Sequence, residues 1–169
     1  PTANVSVDVV GGATDTLIEG NHGDGQFLAT GNGTDRTVIR GNTALYDNAA
    51  AIETADSADL TLIEGNQITG ASGSVTDGGT NSIIRRNNGY ATENSGTATI
   101  TNGTTSVVVT HGLDITPTLA NISITLGENP SNDPGNIWVD TFTSTQFTVN
   151  CRNDPGASNL DTAWRAMVL

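Results

Sequence analysis

Two glutamates in the first half of the chain have the type and spacing that glycoside hydrolysis requires. Glu19 and Glu64 occupy the same position in two copies of the phrase Thr-Leu-Ile-Glu-Gly-Asn. If each copy forms one coil of a stacked β-structure, two steps of roughly 4.8 Å separate the carboxyl groups by about 10 Å. Glycosidases cleave a sugar linkage with two carboxyl groups about 5–10 Å apart. Glu19 and Glu64 are therefore the candidate catalytic residues.

A structural role competes with catalysis at these positions. Arg40 stands between the two glutamates in the repeat register, and Arg85 follows Glu64. The side chains then alternate in charge along the stack, which places opposite charges beside each other. Exposed ion pairs contribute little each, although a network adds up. We favour this charge ladder over catalysis, so no catalytic residue is assigned.

Metal ligands are sparse. The polar loop 127–136 offers oxygen ligands suited to Ca²⁺ from Glu128, Asn129, Asn132 and Asp133. Residues 31–35 partly match a calcium-binding glycine-rich repeat, but no copy follows nine residues later. His22 and His111 lie far apart without cysteine partners, so no zinc site is predicted, and His111 reads as a hydrogen-bonding corner residue. We predict no cofactor or metal, with calcium as the alternative.

Three aromatic residues are candidates for sugar binding, because sugar rings stack on tryptophan and tyrosine. Trp138 and Trp164 fall in predicted strands, where a core or a subunit interface is the competing role. Tyr90 lies at the end of the repeats and can cover the last coil. Cys151 lies in an alternating strand and is expected to be buried or at an interface.

A repeated sequence phrase predicts the secondary-structure elements that position these residues. The phrase recurs so that its asparagines step by 21, 24 and 21 residues, at Asn21, Asn42, Asn66 and Asn87. A period of about 22 residues with a short β-rich phrase predicts a short right-handed parallel β-helix over residues 1–94. The isoleucines of the phrase are expected to stack in an apolar column, and the asparagines to bond to each other at a corner.

The second half, residues 95–169, has a different pattern. Short alternating segments are separated by turn residues, and they predict about six strands, at 98–100, 106–110, 119–126, 137–141, 146–151 and 162–169. Such strands form a small antiparallel β-sandwich. The chain is therefore predicted to be all-β, a β-helix followed by a sandwich.

The net charge of the chain argues against several classes of binding partner. The chain of 169 residues has no lysine, and its six arginines face eighteen acidic residues, for a net charge of −12. Nucleic acids require a cationic surface, which this composition does not supply. No apolar run approaches the roughly 20 residues of a membrane span. We expect no nucleic-acid partner and no membrane insertion.

The second half also resembles a known family. Residues 96–100 (GTATI) and 103–113 (GTTSVVVTHGL) resemble the terminal domains of bacteriophage tail fibres and tailspikes. Residues 147–149 (FTV) and 163–166 (AWRA) are similar to the H-type lectin pattern, in which a late strand carries Trp-x-Ala. A β-helix followed by a sandwich is similar to the plan of tailspikes.

The resemblance implies a homotrimer in the tail of a virion, outside the cell, that recognises a bacterial surface polysaccharide. Its expected function is receptor binding and trimerisation. A fragment of a polysaccharide-degrading lyase or hydrolase is the alternative, and we do not favour catalysis within these residues. A structural trimerisation clamp without glycan binding is the third possibility.

Overall fold

The computed structural model describes residues 5–9, 12–29, 34–45, 50–55, 57–69, 74–127 and 130–168. These residues form an all-β protein with parallel sheets in its first part and antiparallel sheets in its second. The chain divides into two compact units, Pro1–Ala91 and Thr92–Val168, and each has its own hydrophobic core. The predicted class, a parallel β-helix followed by an antiparallel sandwich, is confirmed.

The described strands of the first unit stack in parallel sheets, with one strand per coil in each sheet. The first sheet contains β1 (Val5–Val9), β4 (Gln26–Ala29), β7 (Ile52–Thr54) and β10 (Val75–Asp77). The second contains β2 (Leu17–Glu19), β5 (Val38–Arg40), β8 (Leu62–Glu64) and β11 (Ile83–Arg85). The third contains β3 (His22–Gly23), β6 (Thr43–Leu45) and β9 (Gln67–Thr69).

The expected isoleucine column forms the inner face of the second sheet. Parallel pairing stacks one isoleucine of each coil on the next, and all of them are buried: Ile18, Ile39, Ile63 and Ile84. Ile52 and Ile68 add apolar side chains from the other two sheets. Burial of one such side chain stabilises a fold by about 1.5–3 kcal/mol. The column therefore makes a large contribution to the stability of the stack.

The expected asparagine ladder is also confirmed. Asn42 Nδ2 donates to Asn66 Oδ1 at 3.1 Å, and Asn66 Nδ2 donates to Asn87 Oδ1 at 2.9 Å. The same two oxygens accept the backbone N–H groups of Asn42 and Asn66, each at 3.0 Å. The second proton of each amide goes to a strand carbonyl, such as Ile39 O for Asn66. This bonding fixes the register of successive coils.

Each coil turns two corners through residues with positive φ. The corner that precedes the ladder has φ between 54° and 68°, at Gly20, Gly41, Gly65 and Arg86. The other corner has φ between 53° and 56°, at Asp15, Arg36, Leu60 and Asn81. A left-handed conformation costs roughly 1–2 kcal/mol for most residues other than glycine, and less for Asn and Asp. Arg36, Leu60 and Arg86 therefore stand where the backbone favours other residue types.

The second unit is a sandwich of two antiparallel sheets. One sheet has the order β12 (Glu93–Ile100), β17 (Leu160–Met167) and β14 (Ile122–Leu126). The other has the order β13 (Ser106–Thr110), β16 (Gln146–Cys151) and β15 (Ile137–Asp140). A short 3-10 helix, Leu119–Asn121, precedes β14.

Aromatic rings pack against each other in the core of the sandwich. Phe147 and Trp164 meet edge to face, with ring centroids 5.6 Å apart, and His111 stacks on Phe147 with ring centroids 6.5 Å apart. Gly96 pairs with Trp164 across the strands, and a Cβ atom built on Gly96 would lie 2.9 Å from the indole. A glycine is needed here because the ring occupies the volume of a side chain.

Two local expectations are corrected. Residues 119–121 form a 3-10 turn rather than the start of a strand, because Asn121 Oδ1 accepts the backbone N–H of Thr118 at 2.8 Å. Leu126, which the alternation of the predicted strand 119–126 places on the inner side with Ile122 and Ile124, is 50% exposed at the end of β14. Strand β10 lies in a stretch rich in glycine and serine, where pairing with β7 and burial of Val75 outweigh local composition.

Candidate functional site

The two candidate carboxylates lie in one charged row on the second sheet of the β-helix. Strand register aligns Glu19 with Arg40, Arg40 with Glu64, and Glu64 with Arg85. Arg40 Nε donates to Glu19 Oε1 at 2.9 Å, and Arg85 Nε donates to Glu64 Oε2 at 3.0 Å. Both carboxylates are thus paired with arginines, as the charge-ladder hypothesis requires. With 48% and 24% of their side chains exposed, these pairs are screened by solvent.

A shallow, open cavity of about 340 Å³ lies beside this ladder. Its lining combines charged side chains with glycines of the left-handed corner: Glu19, Arg40, Gly41, Glu64, Gly65 and Arg86. The fold therefore brings the two candidate carboxylates to one cavity. A Cβ atom added to Gly41 or Gly65 would meet no atom within 4 Å, so the backbone conformation, and not packing, favours glycine there.

Arg86 is a cavity residue that the sequence reasoning missed. It takes the corner position that glycine occupies in the three preceding coils, with φ of 54°. Its side chain is exposed and makes no ion pair or hydrogen bond with the residues that the structure describes. The signal was present in the repeat alignment, where Arg replaces Gly before the last asparagine of the ladder.

Comparison of the chain with protein-family models, with curated proteins and with solved structures finds no match. The architecture, in which parallel sheets are followed by antiparallel ones, is compatible with a β-helix plus a β-sandwich.

Trp138 is an exposed aromatic residue on the sandwich. It lies on the edge strand β15 with 46% of its surface exposed, and its indole Nε1 donates to Asp140 Oδ2 at 3.1 Å. The side-chain amide of Asn150, with the Thr141 hydroxyl and the indole N–H, holds the pKa of Asp140 below its usual range. The hydrogen bond to the Asp140 carboxylate therefore favours one orientation of the ring.

The sheet face around Trp138 mixes apolar and polar groups. Strand pairing aligns Trp138 with Asn150, and Asp140 with Thr148, which in turn faces the exposed Val108. Hydroxyl, amide and carboxylate groups thus lie beside an exposed ring. Sugar-binding surfaces combine these groups, because the ring covers C–H groups while the polar atoms bond to sugar hydroxyls.

The other two aromatic candidates face the cores of their units. Trp164 is only 7% exposed and packs against Phe147 and Gly96. Tyr90 is buried in the core cluster of the β-helix, at the end of the repeats. Within the sandwich, the structure does not bring Trp138 and Trp164 to one face.

The proposed metal ligands have other roles where the structure describes them. Asp133 Oδ1 accepts the backbone N–H of Gly135 at 2.8 Å, and Asn132 Nδ2 donates to Asp154 O at 3.4 Å. Glu128, Asn129 and residues 31–33 lie outside the described residues. Within the described ranges, no three His, Cys, Asp or Glu side chains gather as a metal-binding group. Nor does any described helix have the length and apolar character to cross a membrane.

His111 and Cys151 are structural residues in the sandwich. His111 is fully buried, its Nδ1 accepts the backbone N–H of Leu113 at 3.0 Å, and its Nε2 lies 3.1 Å from Thr143 O. The predicted corner role is confirmed. Burial, followed by the charge of Asp154, raises the pKa of the Cys151 thiol. The thiol therefore stays protonated at neutral pH and is a poor nucleophile.

Proposed function

We propose that this chain is the receptor-binding and trimerisation region of a bacteriophage tail fibre or tailspike, which attaches the virion to a bacterial surface polysaccharide outside the cell. The observation that carries the proposal is the exposed indole of Trp138 on a sheet face lined by polar groups. The supporting architecture is a β-helix followed by a sandwich.

Trimerisation has a physical rationale. The sandwich is small, and small units bury a limited share of their surface when they fold alone. Large apolar side chains remain exposed on it, at Val108, Leu119, Leu126 and Trp138. Packing of symmetry-related copies would cover part of this surface. Three copies of a weak sugar site would also raise the avidity for a repeating polymer.

Two measurements test the proposal. Light scattering on a sizing column should give three times the chain mass of 17.3 kDa. Binding to purified bacterial surface polysaccharides should then fall about twofold to tenfold in Trp138→Ala, because a ring-stacking contact contributes about 0.5–1.5 kcal/mol. Leu17→Thr, which removes an exposed apolar side chain from the β-helix, is the matched control and should bind as the unchanged protein does.

The outcomes separate the parts of the proposal. A monomeric mass would contradict trimerisation. Binding that is unchanged in Trp138→Ala would contradict the role of this ring. A trimer that dissociates in Trp138→Ala would assign the face to subunit contact rather than to sugar. Failure to bind any bacterial polysaccharide would contradict attachment and favour the trimerisation clamp.

A polysaccharide-degrading enzyme is the second candidate, because Glu19 and Glu64 line one cavity with Arg40 and Arg86. In this mechanism, one carboxyl group protonates the leaving oxygen while the other activates water or attacks the sugar. Release of new reducing ends from a polysaccharide, abolished by Glu64→Gln in a folded variant, would support it. The absence of reducing ends with the unchanged protein would contradict hydrolysis.

A further inference from the structure

We infer that the cavity beside the charge ladder binds a carboxylate-bearing sugar residue, with the Arg86 guanidinium as the group that recognises the carboxylate. The inference rests on the proposed glycan binding and names the class of glycan, an acidic polysaccharide that contains uronic acid or a related sugar. Three observations carry it: the conformation of Arg86, its charge, and the cavity that it lines.

The conformation of Arg86 is costly and has no packing explanation. In the three preceding coils this corner is glycine, at Gly20, Gly41 and Gly65, and a Cβ atom at each would meet open space. The backbone alone therefore selects glycine. Arg86 accepts the same left-handed conformation, with φ of 54°, in an exposed position. Residues held in such conformations concentrate at functional sites.

The charge of Arg86 is left uncompensated by the ladder. Glu19 is paired with Arg40, and Glu64 is paired with Arg85. The charged residues that line the cavity, Glu19, Arg40, Glu64 and Arg86, sum to zero, and Arg85, which pairs with Glu64 from outside the lining, raises the sum over the five side chains to +1. In the part of the chain that the structure describes, Arg86 has no carboxylate partner. The cavity thus contains one cation that is available to a ligand.

The positive charge of Arg86 can attract a sugar carboxylate although the chain as a whole is acidic. The chain carries a net charge of −12, which repels a polyanion at long range. At an ionic strength of about 0.15 M, however, the Debye length is about 8 Å, so distant exposed charges are largely screened.

The chemistry of the cavity fits a carboxylate on a ring. A guanidinium presents a planar pair of N–H donors that matches the two oxygens of a carboxylate. Gly41 and Gly65 line the same cavity without side chains, which leaves room for a sugar ring to approach the backbone. The paired oxygens of Glu19 and Glu64 can accept hydrogen bonds from sugar hydroxyls while they remain paired.

The test compares Arg86→Gly with the unchanged protein. The probes are oligogalacturonate and an uncharged galactan of equal length, and the measurement is isothermal titration calorimetry. The unchanged protein should bind oligogalacturonate and prefer it to galactan. In Arg86→Gly, affinity for oligogalacturonate should fall at least tenfold, because a charge-assisted hydrogen bond is lost. The same variant should melt about 2–4 °C higher, because glycine relieves the left-handed strain.

A matched control distinguishes strain from recognition. Leu60→Gly relieves the same kind of strain at the other corner, where φ is 54°, and Leu60 does not line the cavity. Leu60→Gly should raise the melting temperature by a similar amount and leave the affinity for oligogalacturonate unchanged. Arg86→Lys keeps the positive charge but loses the planar pair of N–H donors. Its affinity for oligogalacturonate should therefore lie between those of the unchanged protein and Arg86→Gly.

Three results would overturn the inference. The first is equal affinity of Arg86→Gly and the unchanged protein for oligogalacturonate. The second is equal affinity for galactan and oligogalacturonate, which would remove the carboxylate as the recognised group. The third is equal affinity for dextran sulfate, which would indicate unspecific attraction of anions. Binding of other bacterial polysaccharides that persists alongside these results would leave the proposed attachment function standing.

Discussion

Single residues in the β-helix corners combine an unusual backbone with specific polar contacts. Asp59 lies before the left-handed Leu60, and its Oδ1 accepts hydrogen bonds from three donors, Leu60 N, Thr80 Oγ1 and Asn81 Nδ2, at 2.9–3.0 Å. The side-chain hydrogen bond from Asn81, followed by that from Thr80, lowers the pKa of Asp59. A corner of one coil is thus tied to the next coil through an exposed carboxylate.

The pKa of Asp59 gives a prediction at this scale. Because the folded-state pKa is depressed, the carboxylate stabilises the fold above its unfolded value of about 3.9, and this stabilisation is lost as pH falls through the folded pKa. Asn81→Gly keeps the positive φ of the corner but removes the first donor, so the pKa of Asp59 should rise toward 3.9.

Carboxyl chemical shifts followed by NMR during an acid titration measure this change. Asp140 is the control, because its pKa is lowered by other groups and should be the same in both proteins. An Asp59 pKa that does not move in Asn81→Gly would contradict the assigned cause.

At the scale of elements, the coils of the first unit are held by repeated contacts between equivalent residues. The asparagine ladder satisfies backbone groups of neighbouring coils, and the isoleucine column buries their apolar side chains. In the sandwich, the comparable contact is between strands β12 and β17, where Gly96 accommodates the ring of Trp164.

Replacement of Asn66 by valine should destabilise the β-helix by about 3 kcal/mol or more. The buried N–H of Asn42 and carbonyl of Ile39 would lose their partner, and each such loss costs about 1–3 kcal/mol. Urea denaturation, with hydrogen exchange to locate the loss, measures the effect. Asn88→Ala, at an exposed neighbouring position, should change stability by about 0.5 kcal/mol or less. Equal losses in the two variants would argue against the ladder.

Replacement of Gly96 by alanine should destabilise the sandwich by about 1–3 kcal/mol, because the new methyl group would lie 2.9 Å from Trp164 Cζ2. Denaturation followed by tryptophan fluorescence measures the change. Thr97→Ala, which alters the exposed side of the same strand, serves as the control. A Gly96→Ala variant as stable as Thr97→Ala would show that the core has room for the methyl group.

At the scale of the whole molecule, charge dominates behaviour in solution. Eighteen acidic residues and six arginines give a net charge of −12 at pH 7, and the isoelectric point is about 4.1. Repulsion between like-charged molecules opposes nonspecific association, and it vanishes as net charge approaches zero.

The protein should therefore self-associate most strongly near pH 4.1. Static light scattering during acidification should reach its highest intensity near this pH. Added salt should reduce the difference in scattering intensity between samples at pH 7 and more acidic samples. Scattering intensity that stays constant across this pH range would contradict the hypothesis that net charge controls self-association.

Much of the β-helix could be predicted from the sequence, because its determinants repeat. The asparagine spacing sets the coil length, and stacking in register then places each isoleucine inside and each Glu or Arg of the phrase outside. The six strands of the sandwich were also predictable from alternation and turn residues, apart from local exceptions such as the turn at 119–121. Both patterns are local properties of the chain, which is why sequence alone determined them.

Only the tertiary structure decided which candidate residues meet, and which face solvent. Trp138 and Trp164 both lie in alternating strands, but Trp138 is on an outer sheet face and Trp164 is between the sheets. Alternation determines that a strand has two faces, whereas the packing of the second sheet decides which face is covered. The cavity follows the same principle, because Arg86 lines it together with Glu19 and Glu64 only after the coils have stacked. The ion pairs that occupy the two glutamates also form between coils.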